Sequence, residues 1–209
     1  MSGLAQIKIF QSFWYKTCRI PFLYEQAFQW YTSFSPLGEI IERPNPTPAL
    51  SILSKLVDHL IGHCTWNPAQ IHFFGFAQGG SVAAEFGVMW WKSELERIAK
   101  AKQDDPRSLG SIVTISGPLL SYPTPSKLNK TPILVYHRPE TSESSLSTGA
   151  ITAFKKAFED FNEVRIKGKK VEGMPSSKDE WEPIMRLWSE RLGRRQTEGL
   201  YEVMSGGLT

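Results

Sequence analysis

Three short and almost uninterrupted apolar runs constrain the fold of this chain more than any other feature. They lie at 70–76, 111–116 and 132–137, and each ends near glycine, proline or serine. Runs of this length that mix aliphatic, β-branched and aromatic residues are typical of strands. Because the runs lack polar alternation, they predict parallel strands that are covered on both faces. A fourth strand is predicted over 163–171.

Stretches with helical periodicity separate these strands. Helices are predicted over 47–63, 78–102, 148–161 and 181–192, where apolar side chains recur at intervals of three and four residues. The alternation indicates an α/β fold with a mostly parallel central sheet flanked by helices. We expect a single domain over 1–209, with its best-supported core at 47–192 and a flexible tail at 196–209.

The first 46 residues give a weaker pattern. The run "AQIKIF" at 5–10 predicts a strand and "PFLYEQAFQWYTSF" at 21–34 a short helix, and the prolines at 44, 46 and 48 indicate a loop.

Charge and cysteine content favour an ordinary intracellular domain. A net charge of +3, from 24 basic and 21 acidic residues, gives no electrostatic basis for binding nucleic acid. Neither the two cysteines nor the four histidines have the spacing of a metal site, so we expect no metal and no cofactor. No apolar run is long enough to span a bilayer and no secretory leader is evident. These features predict a cytoplasmic protein with access to the nucleus.

The sequence GFAQGG at 75–80 joins a predicted strand to a predicted helix. An α/β-hydrolase carries its nucleophile at such a turn, in the form G-x-S-x-G, and glycines beside the nucleophile prevent steric clashes. Gly75 and Gly79 meet that requirement. Gln78, Gly79 and Gly80 begin a helix whose N-terminal amides favour negative charge, so this turn is the predicted ligand pocket. The central residue, however, is Ala77, which has no nucleophilic group.

Four blocks in order resemble the acyl-protein thioesterase and carboxylesterase family of serine hydrolases. GFAQGG is similar to that family's GFSQGG, and "IVTISGPL" at 112–119 to its strand ending in Ser-Gly. "TPILVYHRPET" at 131–141 resembles its segment ending in His-Gly-x-x-Asp, and "VEGMPSS" at 171–177 its Gly-Met-Gly-His-Ser segment. The resemblance implies an α/β-hydrolase fold with a shortened N-terminal part. It places the nucleophile, the acid and the base of the triad on Ala77, Thr141 (beside Glu140) and Ser176, none of which has the catalytic side chain.

The order of residues leads to the same conclusion independently of the family. In this fold the triad runs Ser, then Asp or Glu, then His, and no histidine follows His137. His59 and His63 are four residues apart on a predicted helix and are interpreted as a helix-end pair without a third metal ligand. Ser81 and Ser116 are the candidates for a relocated nucleophile, although no histidine is predicted near either of them.

Three functions therefore stay open. The first is a catalytically inactive protein of this fold that binds a protein partner or an acyl or hydrophobic ligand, as a homo- or heterodimer. The alternative is an active carboxylic-ester or thioester hydrolase with a relocated nucleophile or an incomplete N-terminus. A weaker third reading is an α/β binding module unrelated to hydrolases. Because adjacent residues cannot share one helix face, either Trp90 or Trp91 is predicted to lie at an edge or interface.

Overall fold

The computed structural model describes residues 29–101, 105–138, 145–166 and 173–191. These residues form four helices and four strands. The helices are α1 (Thr47–Gly62), α2 (Gln78–Ala101), α3 (Thr148–Ala157) and α4 (Lys178–Arg191). The strands are β1 (His72–Phe76), β2 (Ser111–Ile115), β3 (Ile133–His137) and β4 (Phe161–Arg165).

The four strands form one parallel sheet in the order β1-β2-β3-β4. Because each connection advances the strand order in the same direction, right-handed crossovers place α2 and α3 on the same face of the sheet. That face carries the larger core, in which α1, α2 and α3 cover Phe73, Ile112 and Val135. The helix α4 covers the other face, where Ile184 and Leu187 pack on the sheet. The predicted α/β fold with a parallel sheet is confirmed.

Two predicted boundaries are wrong at the junction of α3 and β4. The helix ends at Ala157 rather than at 161, because Phe158 is already extended, with φ −118° and ψ 138°. Phe161 then pairs with Ile133 as the first residue of β4, two residues before the predicted start. Phe154, Phe158 and Phe161 do pack in one cluster, but from a helix, its cap and a strand. Their spacing therefore imitated a single helical face.

The remaining predicted boundaries differ by a few residues or fall outside the described chain. Gln70 belongs to a 3₁₀ turn (Pro68–Gln70) that precedes β1, and α4 begins three residues before its predicted start. The predicted helix at 21–34 is wrong over 29–34, where the chain is irregular and Phe34 forms an isolated bridge with Ile40. The predicted strand at 5–10, the end of β4 beyond 166 and the predicted tail at 196–209 lie outside the described residues.

The parallel sheet collects the carboxyl ends of its strands along one edge. Ala77 directly follows β1, Ser116 directly follows β2, and His137 is the last residue of β3. Ligand sites of open α/β sheets lie at this edge, so the fold brings the predicted turn and one candidate serine to the expected place. In the described part of the chain, no helix combines the length and the apolar character needed to cross a membrane.

Candidate functional site

The turn between β1 and α2 has the strained backbone of a nucleophile elbow. Ala77 has φ +48°, in the left-handed region that residues with a side chain rarely adopt. The surrounding structure holds it there by two backbone hydrogen bonds. Its N–H donates to the Ile115 carbonyl at 2.8 Å, and its carbonyl accepts from Ser81 N–H at 3.0 Å. Such a conformation costs on the order of 1–3 kcal/mol and tends to occur at functional sites.

The glycines around the elbow are required by close backbone approaches. A Cβ on Gly75 would lie 2.3 Å from the Gly79 carbonyl carbon, and one on Gly80 would lie 2.4 Å from Thr114 Oγ1. On Gly117, after β2, it would lie 2.5 Å from the Ala77 carbonyl oxygen. The predicted need for glycine is thus confirmed at position 75.

Gly79 differs from these three glycines. A Cβ there would meet only the Trp30 indole, at 3.4 Å, which is an ordinary contact. The steric reason given for Gly79 in the sequence prediction is therefore wrong, and Gly80 carries the constraint instead. The pairing of Gly80 with Thr114 on the neighbouring strand could not be read from a local pattern.

The Gln78 side chain is an anchor for the segment that precedes α1. Its Oε1 accepts from Trp30 N–H at 2.9 Å, and its Nε2 donates to Ser33 Oγ at 2.7 Å. Because these bonds fix residues 30–33 beside the elbow, Gln78 gives the site one of its walls. The first amides of α2 have no intrahelical acceptor by their position and favour an electronegative group near Ala77.

Ser81 lies one helical turn beyond Ala77 but is completely buried. Its hydroxyl lies near the Tyr31 phenol, although no hydrogen bond of normal geometry joins them. Burial raises the pKa of Tyr31. The Ser81 hydroxyl lowers this pKa by a smaller amount, and the Glu85 carboxylate raises it by a still smaller one. The Glu85 carboxylate itself accepts from the backbone amides of residues 120 and 121. Burial in this polar cluster makes Ser81 inaccessible as a nucleophile.

Ser116 is the more accessible candidate. It is half-buried and has φ +55°, a second strained residue at the carboxyl edge of the sheet. Its N–H donates to the Tyr136 carbonyl at 2.9 Å, which places it opposite His137 on β3.

His137 is buried and already has an acidic partner. Its Nε2 lies 3.0 Å from Glu163 Oε1, while its Nδ1 is buried and has no hydrogen-bond partner in the described part of the chain. A hydrogen bond from Arg165 lowers the pKa of Glu163, burial opposes this, and His137 lowers it further. With strands about 4.8 Å apart, His137 is two strand spacings, or about 10 Å, from the elbow. It therefore does not serve residue 77.

The predicted base position has a structural role in this protein. Ser176 is exposed, and its N–H donates to Glu180 Oε2 at 2.8 Å near the start of α4. The same carboxylate receives two hydrogen bonds from the buried Arg138 guanidinium, at 3.0 and 2.9 Å. Hydrogen bonds from Arg138 and from the Ser176 backbone lower the pKa of Glu180 to about 2. This arrangement fixes the start of α4 to the end of β3 and leaves no base at position 176.

Other predicted residues add no second site. Thr141 and Glu140 lie outside the described residues, as does Cys18, whereas Cys64 is an exposed free thiol. His59 and His63 stack with ring centroids 4.8 Å apart, and no cluster of metal-binding side chains occurs in the described ranges.

The prediction that one of the adjacent tryptophans lies at an edge is wrong. Trp90 and Trp91 are both buried, and their indole N–H groups donate to the carbonyls of Arg107 and Lys127. Because these two carbonyls accept hydrogen bonds from the indole N–H groups, both tryptophans can be buried on their different sides of the helix.

A shallow depression of about 380 Å³ lies away from the elbow, near the amino ends of β2 and β3. Its lining includes Trp91, Asp105, Lys127 and Lys130, side chains of mixed charge, and no residue of the elbow. The elbow, at the carboxyl edge of the sheet, is therefore the better candidate site.

The chain is similar to one curated protein, an uncharacterized hydrolase of Mycosarcoma maydis. The two are 32% identical over 177 residues, which are 85% of this chain and 63% of that protein. The chain thus spans less than two thirds of its relative's length. No protein-family model matches the chain.

Solved structures with the same architecture include SOBER1 of Arabidopsis thaliana and acyl-protein thioesterase 2 of Zea mays. For SOBER1 the TM-score is 0.56 at 18% identity, over 81% of this chain and 76% of that one. For the maize thioesterase the TM-score is 0.55 at 16% identity, over 80% of this chain and 74% of that one. These neighbours confirm the predicted fold, which is that of the α/β-hydrolases.

Proposed function

We propose that this protein is a catalytically inactive α/β-hydrolase-fold protein that acts by binding. The observation that carries the proposal is the elbow itself. Ala77 is held at φ +48° by the same turn that presents a serine in active relatives of this fold. The turn is kept although its centre is a methyl group that can attack nothing.

The other triad positions support the same proposal. Ser176, at the position of the base, is engaged by Glu180, which is in turn bound to Arg138. Ser81 is buried, and its hydroxyl has no hydrogen-bond partner among the described residues. Loss of a triad serine or histidine lowers turnover by on the order of 10⁶, and here both positions are changed. Ester or thioester hydrolysis through residue 77 is therefore not expected.

The ligand class that we propose is an acyl chain or a hydrophobic segment of a partner protein. The relatives of this fold include an acyl-protein thioesterase, and the elbow amides would accept the carbonyl or carboxylate end of an acyl ligand. Trp30, fixed beside Gly79 by Gln78, would give the site an apolar wall.

A fluorophosphonate probe tests the loss of activity directly. We expect no labelled serine in the wild-type protein by mass spectrometry, and no turnover of an acyl thioester or of a nitrophenyl ester above the background. Titration with medium- and long-chain fatty acids tests binding, with Ala77→Leu as the variant that fills the space above the elbow. Saturable binding that Ala77→Leu weakens at least tenfold is expected. Binding that is unchanged by this substitution would place the ligand elsewhere.

A second candidate function rests on Ser116 and His137. Ser116 lies opposite His137, whose Nε2 is oriented by Glu163 and whose Nδ1 has no partner among the residues that the structure describes. A base held by a carboxylate beside a serine is the arrangement that activates a nucleophile. If the probe labels wild-type protein and Ser116→Ala abolishes labelling, the chain is an ester or thioester hydrolase with a relocated nucleophile. Loss of the same labelling in His137→Gln would identify the base.

A further inference from the structure

A second backbone segment borders the elbow besides residues 30–33. It comprises residues 116–121, which leave β2 at the carboxyl edge of the sheet and which we call the second wall. A Cβ on Gly117 would lie 2.5 Å from both the Ala77 carbonyl oxygen and the Ser81 nitrogen, so the backbone of Gly117 touches the elbow and the first turn of α2. The position of the second wall therefore limits the space beside Ala77.

The second wall has no regular secondary structure to hold it in place. Thr114 Oγ1 donates to the Gly117 carbonyl at 2.9 Å, which fixes the beginning of the segment. Pro118 has no backbone N–H, and no backbone carbonyl in the described ranges accepts from the N–H groups of Leu120 or Ser121. Backbone donors in a half-buried segment need acceptors. The end of the second wall therefore depends on a side chain.

That side chain is Glu85, which lies about two helical turns after the elbow. Residues 77, 81 and 85 are spaced by four, so they lie along one stripe that starts at the elbow and continues along α2. Glu85 Oε1 accepts from the N–H groups of Leu120 and Ser121, both at 2.7 Å, and its Oε2 accepts from Ser121 Oγ at 2.8 Å. Such charge-assisted hydrogen bonds are roughly twice as strong as neutral ones. Glu85 thus attaches the end of the second wall to α2.

Glu85 is also an isolated charge in an apolar stretch of the helix. No other residue from 78 to 91 is charged, and its neighbours Val82, Ala84 and Phe86 belong to the core. Glu85 itself is only 6% exposed. A buried carboxylate costs free energy unless it is well hydrogen-bonded, and an apolar side chain of similar volume is often as stable or more stable. The packing of α2 therefore gives no reason for a glutamate here, whereas the second wall does.

We propose that Glu85 is a positioning residue, which holds the second wall against the start of α2 and so sets the width of the ligand site beside Ala77. Because it is buried, it acts through the backbone of residues 120 and 121 rather than by touching the ligand. Its effect on ligand affinity rests on the proposed function, whereas its effect on the position of residues 116–121 does not.

Hydrogen exchange measured by NMR on the full chain tests the attachment of the second wall. Glu85→Leu removes every acceptor, and we expect the amides of Leu120 and Ser121 to exchange on the order of 10²-fold faster than in the wild type. Glu85→Gln keeps an oxygen that can accept from both amides, so exchange should stay within about fivefold of the wild type. The Ile112 amide, which donates to the Pro132 carbonyl, is the internal control and should not change.

Affinity for dodecanoate tests whether this attachment shapes the site. Its dissociation constant, measured at a temperature where the variant is fully folded, should rise about tenfold or more in Glu85→Leu and stay within about threefold of the wild type in Glu85→Gln. Glu94→Leu is the matched control, because Glu94 is also a buried carboxylate of α2 but binds Arg97 and Arg107 instead of the second wall. It should destabilise the chain and leave the dodecanoate affinity and both amides unchanged.

The contradicting outcomes can be told apart. Unchanged exchange at Leu120 and Ser121 in Glu85→Leu, or equal acceleration in Glu94→Leu, would overturn the attachment. Faster exchange with unchanged dodecanoate affinity would overturn the role of Glu85 in the site. If the wild type binds no dodecanoate, the proposed ligand is wrong, and the exchange rates alone decide the attachment. If Glu85→Leu does not fold, NOEs between the amide protons of residues 120 and 121 and the Glu85 side chain of the wild type decide, and their absence refutes the attachment.

Discussion

Replacing Gly75 by alanine tests whether the elbow is as tightly built as its geometry indicates. The added Cβ would lie 2.3 Å from the Gly79 carbonyl carbon, 2.3 Å from its oxygen and 2.5 Å from the Gly80 nitrogen. Carbon atoms prefer separations of about 3.5–4.0 Å, so β1 and the start of α2 would have to separate by about 1.2 Å. All three contacts are with backbone, and no side-chain rotation relieves them.

The expected loss of stability follows from this overlap. Overpacking of a rigid site costs about 1–3 kcal/mol and occasionally more, and we expect Gly75→Ala to lie at the upper end, near 3 kcal/mol. In a chain of this length each kcal/mol corresponds to roughly 2–4 °C in Tm, which predicts a fall of about 6–12 °C. Urea unfolding followed by circular dichroism gives the free energy directly.

Two matched glycine variants decide whether the cause is steric. Among the described residues, the new Cβ of Gly79→Ala meets only Trp30, at 3.4 Å, and that of Gly62→Ala, near the end of α1, meets nothing within 4 Å. Alanine has a helix propensity better than that of glycine by about 1 kcal/mol, so both should be neutral or stabilising. Equal destabilisation of all three variants, or none in Gly75→Ala, would refute the close approach of Gly75 to the backbone of α2.

Three further predictions concern the elbow and the charged pairs. Ala77→Gly should raise the free energy of unfolding by about 0.5–1 kcal/mol in urea, because glycine adopts φ +48° without strain; a loss of stability would contradict the strain. Arg138→Met should lower the free energy of unfolding by about 3 kcal/mol, because it leaves Glu180 without its buried partner. The double variant Arg138→Met/Glu180→Met should recover at least half of this loss. If it recovers none, Arg138 stabilises the fold through other contacts. Burial raises the pKa of Glu94, but hydrogen bonds from Arg107 and Arg97 outweigh it and lower the pKa to about 2, from an ordinary 4.5. Since the pKa of Glu94 is lower in the folded state than in the unfolded state, this stabilisation is complete above about pH 5 and is lost as the pH falls toward 2. Over that range the Tm of Glu94→Gln should fall less steeply than that of the wild type. An unchanged slope would show that Glu94 does not contribute to the acid destabilisation.

The parts of the fold that could be predicted from the sequence are those in which a local pattern favours one structure. Short unbroken apolar runs bounded by turn residues favour strands that are covered on both faces, and β2 and β3, which are buried throughout, were predicted to within one residue. The end of α3 was predicted wrongly, because the spacing of Phe154, Phe158 and Phe161 also fits one face of a longer helix. Only the pairing of Phe161 with Ile133, made by a distant strand, ends that helix early. Likewise, the need for glycine at position 80 depends on Thr114, and the role of Ser176 depends on Glu180 and Arg138.

The strain at Ala77 raises the question of why the elbow keeps its conformation with alanine at its centre. Left-handed backbone at a residue with a side chain is unfavourable, and glycine would relieve it without a new contact. The turn nevertheless stays strained, because three tight approaches, at Gly75, Gly80 and Gly117, fix the position of the Ala77 backbone whatever its side chain is. The elbow is therefore part of the packing between β1, β2 and α2, and it persists without the nucleophile. A site that is rigid for structural reasons keeps the helix amides aimed at one point, which is what the proposed binding function requires.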